Sequence, residues 1–194
     1  MKVSNPPELP TTKELENELH RVQYHNKYIL VLKSTIYTLI TVAAVAVLVA
    51  TLWMPVLQIY GSSMTPTLEK SDIVVSLKRS EVEHGDIVAF YYNNKILVKR
   101  VIAEAGQWVD IDDDGQVFVD SRKIDEPYVV EPAYGDTNIE LPYQVPDGKI
   151  FVMGDHRATS LDSRNTAVGC VAQEQIVGKI VLRLWPIGRI GKIL

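Results

Sequence analysis

The distribution of apolar and polar residues changes twice along this chain. Three prolines stand among the first ten residues, which carry few apolar side chains, so this segment is predicted to be a disordered tail. Beyond it, Leu15, Leu19 and Val22 recur at helical spacing after Thr11 and Thr12, which predicts a helix begun by a threonine N-cap. Its thin apolar stripe fits either a solvated juxtamembrane helix or a self-association seam.

Residues 34–60 contain no charged side chain. A helix that spans a bilayer needs about 20 apolar residues, and this run supplies them. A cleaved signal peptide has a shorter apolar core that lies nearer the N-terminus, so the run is predicted to be a permanent anchor. The predicted domains are a cytoplasmic tail with its juxtamembrane helix (1–33), a transmembrane anchor (34–56) and an extracytoplasmic domain (57–194).

The positive charges around the predicted anchor indicate its orientation. Only Lys70 follows the span closely, whereas five cations precede it: Lys2, Lys13, Arg21, Lys27 and Lys33. Short loops rich in Lys and Arg stay in the cytoplasm. We therefore expect a single-pass protein of the cell membrane with its N-terminus in the cytoplasm and the lipid bilayer as a partner.

The pattern after residue 60 is that of a β protein. Short runs rich in β-branched and aromatic residues are separated by turn signals at His84-Gly85-Asp86, Asn93-Asn94 and Asp112–Gly115. The Asp112–Asp114 triplet suggests calcium, but the rest of an EF-hand loop is missing, and a hairpin turn explains it better. The predicted fold is mainly antiparallel β, a coiled or folded-over sheet or partial barrel. The predicted strands are 73–75, 86–92, 96–98, 117–119, 149–153 and 178–182.

Composition narrows the possible functions. The chain has 46% hydrophobic and 23% charged residues, which fits a folded domain joined to one apolar segment. Its net charge is −4 and it has no basic stripe, so a nucleic-acid partner is not expected. The single cysteine, Cys170, cannot form an internal disulfide and is interpreted as a small buried apolar residue rather than a nucleophile.

Two segments combine residues suited to nucleophilic chemistry. Residues 61–68 place serines between Gly61 and Pro66, where a substrate backbone could approach closely, although a linker leaving the bilayer would look similar. In the strand around Lys99, alternation puts this lysine on the face of Leu97 and Val101. A lysine that acts as a base near neutral pH needs its pKa lowered from about 10.4 to about 7, and burial among apolar neighbours does this. The alternative is an edge-strand lysine that keeps the sheet soluble.

A third segment, residues 154–164, is dense in polar groups. It contains two acids, two arginines, a histidine and several hydroxyl groups. A solvated loop has a similar composition. Asp162 and Arg164, however, flank Ser163 in a way that suits a buried ion-pair network shaping a site.

Together these segments resemble bacterial type I signal peptidase (leader peptidase). The chain contains Ser63-Met64-Thr65-Pro66-Thr67-Leu68, then Lys99-Arg100-Val101, then a Gly154–Arg164 box, in the family's order and after an N-terminal anchor. The resemblance extends from about Leu57 to the C-terminus. It implies a membrane-bound serine endopeptidase that removes signal peptides from preproteins, cuts after small residues as in Ala-x-Ala, and needs no metal or cofactor.

The resemblance also implies roles for individual residues. Ser63 would be the nucleophile and Lys99 the general base, with Ser160 orienting the lysine. Asp162 and Arg164 would hold the loop, and Gly61 and Ser62 would adjoin the oxyanion hole. The residues that match pocket-lining positions for small substrate side chains are Ile59, Met64, Leu68, Leu97 and Val98.

Two departures from the family pattern leave alternatives open. Gly61 stands where some members have a serine hydroxyl, so the oxyanion hole would rely on backbone N–H groups. His156 replaces an asparagine, so a Ser–His–Asp triad with Asp155 or Asp162 is a second mechanism. A self-cleaving repressor would need a DNA-binding domain in place of the anchor, and an inactive binding module would not need Ser63, Lys99 and Ser160 together.

Overall fold

The computed structural model describes residues 11–193, and the predicted disordered tail lies outside them. The first element is a single helix, α1 (Thr12–Trp53), which runs without a break through the predicted boundary at residue 33. Thr11 begins it, because its N–H and its hydroxyl both donate to a carboxylate oxygen of Glu14 at 2.8 Å. Pro55 explains its end, since proline cannot continue a helix and disfavours helical geometry in the residue before it.

Helix α1 has the length and composition to cross a membrane. Its apolar side chains are exposed along its whole length, and none of its residues is buried. The chain divides into two compact units between Val49 and Ala50. The anchor itself remains a prediction from the sequence.

The second unit is built from short antiparallel strands, as the sequence predicts. A large open sheet has the order β1-β2-β11-β3-β4-β9-β10, with β12 beside β11, and a small sheet has the order β7-β6-β5-β8. The fold is therefore mainly β with a sheet that does not close. The strands are β1 (Val56–Gln58), β2 (Ile73–Leu77), β3 (Ile87–Tyr92), β4 (Lys95–Ala103), β5 (Trp108–Ile111), β6 (Val117–Val119), β7 (Arg122–Lys123), β8 (Tyr143–Gln144), β9 (Lys149–Met153), β10 (Val171–Ala172), β11 (Ile176–Trp185) and β12 (Gly191–Lys192).

Two of the predicted turns are hairpin turns in the structure. Asn93 and Asn94 connect β3 to β4 with φ values of 44° and 59°, which is the left-handed geometry of a tight hairpin. Between β5 and β6, the Asp112 carboxylate accepts hydrogen bonds from the N–H groups of Asp114 (3.1 Å) and Gln116 (2.8 Å). The aspartate triplet is thus a hairpin turn, as predicted.

Strand β3 lies in the middle of the large sheet and is buried on both faces. Ile87 and Ala89 pack into one apolar cluster, while Val88 and Phe90 pack into another. A third cluster joins the small sheet to the ends of β4 and β9. Because β4 lies between β3 and β9, its residues are positioned by neighbours on both sides.

Candidate active site

The serine-containing turn that follows β1 is held tightly in place and is not a flexible linker. Ser62 O accepts hydrogen bonds from Thr65 N–H (3.1 Å) and Thr65 Oγ1 (2.8 Å), and Leu68 N–H donates to Met64 O at 2.8 Å. Met64 is 2% exposed and Leu68 is 0% exposed, in the apolar cluster that also contains part of β3. Two buried side chains therefore anchor the backbone on the C-terminal side of Ser63.

Lys99 lies in a central strand and is 3% exposed, which rules out the edge-strand interpretation. Its Nζ donates a hydrogen bond to Ser160 Oγ at 2.9 Å. Burial lowers the pKa of Lys99 to about 8, against the opposing attraction of Asp162. The shift of the pKa has the predicted direction and the predicted cause.

The segments that contain Ser63, Lys99 and Ser160 meet beside Gly154. A Cβ on this residue would lie 2.2 Å from Ser160 Oγ and 2.5 Å from Ser63 O, so both atoms pack directly over its Cα. In addition, His156 N–H donates to Ser63 O at 3.1 Å. Among the described residues, Lys99 Nζ donates to Ser160 and not to Ser63 Oγ.

The loop from Gly154 to Arg164 is organised by a buried carboxylate. Asp162 forms a two-point ion pair with Arg164, with N–O distances of 2.8 and 2.9 Å, and also accepts from Gly154 N–H at 3.0 Å. Burial alone would raise the pKa of Asp162, but the hydrogen bonds and charge of Arg164 outweigh it and hold this pKa below its usual value. Arg164 also donates to Tyr134 O at 2.9 Å and Arg157 O at 2.9 Å.

A second buried network supports the same loop, and the sequence did not assign it a role. Arg100 is 2% exposed, pairs with Asp155 at 2.8 Å and lies 3.8 Å from the centre of the Tyr128 ring. Arg157 is 1% exposed, pairs with Glu126 and donates to the carbonyl of Gly154 at 3.0 Å. The signal available in the sequence was Arg100 within the mainly apolar run of residues 96–103, because a buried arginine is rare unless it is paired.

A cleft of about 720 Å³ has Ser63 among its lining residues. Four of the five predicted substrate-binding residues also line it, namely Ile59, Met64, Leu97 and Val98. The fifth, Leu68, does not line the cleft but packs in the cluster with Ile59 and Met64. The cleft lies between the segment from Val56 to Met64 and the first half of β4, and its lining is mostly apolar.

The backbone beside Ser63 offers a donor for an oxyanion. Within the described residues, the N–H of Ser63 donates no hydrogen bond. Gly61 lines the cleft, and Ser62 contributes only its carbonyl oxygen to the turn. A Cβ on Gly61 would meet only Ser63 N, at 4.0 Å, so a side chain fits at this position.

His156 lacks the partner that a Ser–His–Asp triad requires. Its Nδ1 lies 2.9 Å from Thr159 Oγ1, and both candidate acids are engaged elsewhere, Asp155 with Arg100 and Asp162 with Arg164. The Thr159 hydroxyl orients the imidazole, but no carboxylate is in place to stabilise the positive charge that it would gain as a base. The geometry therefore favours Lys99 as the base.

Cys170 is partly buried against the apolar cluster of the small sheet, and burial raises the pKa of its thiol. A raised pKa keeps the thiol protonated, whereas a nucleophilic cysteine must be a thiolate. This agrees with its interpretation as a small apolar residue.

Comparison with known proteins gives a consistent set of relatives. The family described as signal peptidase, peptidase S26, matches residues 32–185. Thylakoidal processing peptidase 1 of Arabidopsis thaliana is 36% identical over 148 residues, which cover 68% of this chain but only 42% of that protein. A probable signal peptidase I-1 of Synechocystis is also 36% identical over 148 residues, covering 69% of this chain and 72% of that one. A crystal structure of a signal peptidase I from Enterococcus faecalis shares 27% identity and a TM-score of 0.45, covering 52% of this chain and 97% of that one.

Proposed function

Since this chain belongs to the signal peptidase family, peptidase S26, we propose that it is a membrane-anchored serine endopeptidase that uses Ser63 as its nucleophile and Lys99 as its general base. Its substrates are preproteins that carry N-terminal signal peptides. The cut follows small side chains of the Ala-x-Ala kind. The observation that carries this proposal is the buried Lys99, whose Nζ is bonded to Ser160 next to the backbone of Ser63.

The lowered pKa gives Lys99 a useful fraction of its neutral form. At pH 7, a group with a pKa of about 8 is about 9% neutral, compared with about 0.03% for the ordinary value of 10.5. A neutral amine has one lone pair and two hydrogens. Donation to Ser160 therefore orients the lone pair, which then accepts the hydroxyl proton of Ser63 when substrate is bound.

The reaction proceeds through an acyl-enzyme. Ser63 Oγ attacks the scissile carbonyl as its proton passes to Lys99, and the Ser63 N–H binds the oxyanion. Lys99 then gives that proton to the departing amine. A water molecule, deprotonated by the same lysine, then attacks the ester carbonyl, and the lysine returns this proton to Ser63 Oγ as the ester bond breaks. Ser160 holds the lysine in position through its hydrogen bond to Nζ, and Asp162 and Arg164 hold the loop that carries Ser160.

The specificity of the cleft provides one test. One wall of the cleft is formed by Ile59, Met64 and Val98, which also pack in the apolar cluster that contains part of β3. This wall cannot move to make room for a larger side chain without disturbing the core. With a peptide that ends in Ala-x-Ala before the cut, we expect replacement of the last alanine by leucine to lower kcat/KM about 5- to 150-fold, because overpacking costs about 1–3 kcal/mol. Leucine at the x position is the matched control and should be tolerated. Equal rates with alanine and leucine at the last position would show that the pocket is assigned wrongly.

The membrane orientation provides another test. Five cations precede the apolar run and helix α1 is long enough to span a bilayer, so the N-terminus is expected in the cytoplasm and the β unit outside. Protease added to spheroplasts should digest a tag at the C-terminus and spare a tag at the N-terminus. Detergent lysis should expose both tags, as a control for access. Digestion of the N-terminal tag alone in intact spheroplasts would reverse the assigned orientation.

A further inference from the structure

A second cavity, of about 240 Å³, is lined in part by the residues that directly follow the cleft-lining segment in the sequence. Ser63 and Met64 line the cleft, whereas the next two residues, Thr65 and Pro66, line this cavity. Residues 155–158 form another part of its wall, and Val130 and Glu131 complete it. We call this cavity the exit pocket.

The exit pocket and Ser63 are linked by a backbone hydrogen bond. His156, which lines it, donates its N–H to Ser63 O at 3.1 Å. A polypeptide substrate continues on both sides of the scissile bond. If the residues before the cut occupy the cleft, the residues after it must leave Ser63 elsewhere, and the segment from Ser63 to Pro66 leads directly into the exit pocket.

The size of the exit pocket suits side chains rather than a whole ligand. Sites for complete small molecules usually measure about 300–1,000 Å³. A cavity of about 240 Å³ is smaller and accommodates the side chains of one or two residues. This matches a short stretch of polypeptide that crosses its mouth.

The charges of the lining identify the preferred side chain. Asp155 is neutralised by Arg100 at 2.8 Å, and Arg157 is paired with Glu126. Glu131 is exposed and, within residues 11–193, forms no ion pair. Its carboxylate is therefore the one uncompensated charge of the pocket, apart from any charge on His156.

We propose that the exit pocket receives the first one or two residues of the mature protein, those just after the cut, and that Glu131 selects basic side chains there over acidic ones. This rests on the proposed function, because it takes cleavage at Ser63 as given. It adds a specificity determinant on the departing side of the scissile bond, separate from the cleft that reads the small residues before the cut.

The expected preference is modest, since Glu131 is exposed. A single exposed ion pair changes a rate or equilibrium constant by up to about fivefold. Attraction of lysine and repulsion of glutamate add, so we expect about a three- to tenfold higher kcat/KM for the lysine substrate at low salt. Screening should reduce this ratio as ionic strength rises, because the Debye length falls from about 30 Å at 0.01 M to about 3 Å at 1 M.

The test uses the full chain in detergent and two peptides that share one signal sequence and one Ala-x-Ala site. They differ only in the second residue after the cut, which is lysine or glutamate. Wild type should prefer lysine, and Glu131→Lys should invert the preference. Glu140→Lys, which makes the same change at an exposed residue outside the pocket lining, should keep the wild-type ratio.

The outcomes separate this inference from the proposed function. Cleavage of both peptides with a ratio near one, or a ratio that Glu131→Lys leaves unchanged, would overturn the role of the exit pocket while supporting the peptidase. An equal shift in Glu140→Lys would overturn it too, because the effect would then come from overall charge. Failure to cleave either peptide would overturn the proposed function itself.

Discussion

Replacing Lys99 with alanine is expected to lower kcat/KM for a signal-peptide substrate by about 10²–10⁴-fold, the contribution of a positioned general base. Lys99→Arg should fail equally, because an arginine with a pKa above about 12 stays charged and cannot accept a proton. Ser63→Ala should be at least as inactive, since it removes the attacking oxygen. The measurement is peptide cleavage by the full chain in detergent, followed by mass spectrometry of the products.

Two controls show that lost activity reflects chemistry and not unfolding. Lys99→Met keeps the volume of the side chain without the buried amine, so it should unfold at the same or a higher temperature while remaining inactive. His156→Asn should keep most activity, because His156 has no carboxylate partner. If His156→Asn is as inactive as Ser63→Ala while Lys99→Ala turns over, the Ser–His–Asp mechanism takes the place of the Ser–Lys one.

The pH dependence of the wild-type enzyme follows from the same lysine. The base acts only in its neutral form, so kcat/KM should rise as pH increases through the pKa of Lys99, about 8 in the free enzyme. In His156→Asn, kcat/KM should rise over the same pH range as in the wild type. If the rise of activity with pH disappears or moves in this variant, the imidazole is the titrating group.

The second large effect is expected at Gly154, where a single methyl group should disrupt the site. In Gly154→Ala, the new Cβ would lie 2.2 Å from Ser160 Oγ and 2.5 Å from Ser63 O, far inside the separation of about 3.5–4.0 Å at which atoms pack. Relief of this clash must move Ser160, Ser63 or both. Because a misplacement of about 1 Å at reacting groups costs about 10²-fold, we expect a loss of at least that size.

The matched control for this variant is Gly188→Ala. A Cβ there would meet no atom within 4 Å, so the same substitution should leave both cleavage and thermal stability near wild type. A serine-directed probe should also react more slowly with Ser63 in Gly154→Ala. This measurement reports the position of Ser63 without a peptide substrate. Full activity in Gly154→Ala would show that Ser63 and Ser160 do not need the relative positions seen in this structure.

Local patterns were enough to predict the helix, the β class and the principal strands. Asn93-Asn94 predicted the β3–β4 hairpin because tight turns depend on the conformations of two adjacent residues. Residues 108–111 were not predicted as strand β5, because Asp110, a residue type that is depleted in strands, interrupts this short apolar run. Strand β1 was also missed, since Val56 lies at the end of a long apolar run that was interpreted as a single helix.

The site was less predictable than the fold because its contacts join residues far apart in the chain. Alternation placed Lys99 among apolar neighbours, and burial in β4 agrees with this. By the same alternation Arg100 lies on the opposite face, and the sequence did not show that this face is buried as well. The partner of Arg100, Asp155, lies 55 positions away, and no local pattern pairs an arginine with a carboxylate at such a distance.

Three of the buried arginines determine how firmly the loop from Gly154 to Arg164 is held. The ion pairs of Arg100 and Arg157 tie the loop to β4 and to the segment at Glu126, and that of Arg164 braces the loop internally, in a chain whose only cysteine is Cys170. Breaking one partner of a buried pair costs about 3–5 kcal/mol, comparable to the loss of a native disulfide in a small secreted domain. Unlike disulfides, these ion pairs form as the chain folds and need no oxidant. The loop is therefore held equally well in oxidising and reducing compartments, and the enzyme can mature without thiol oxidation.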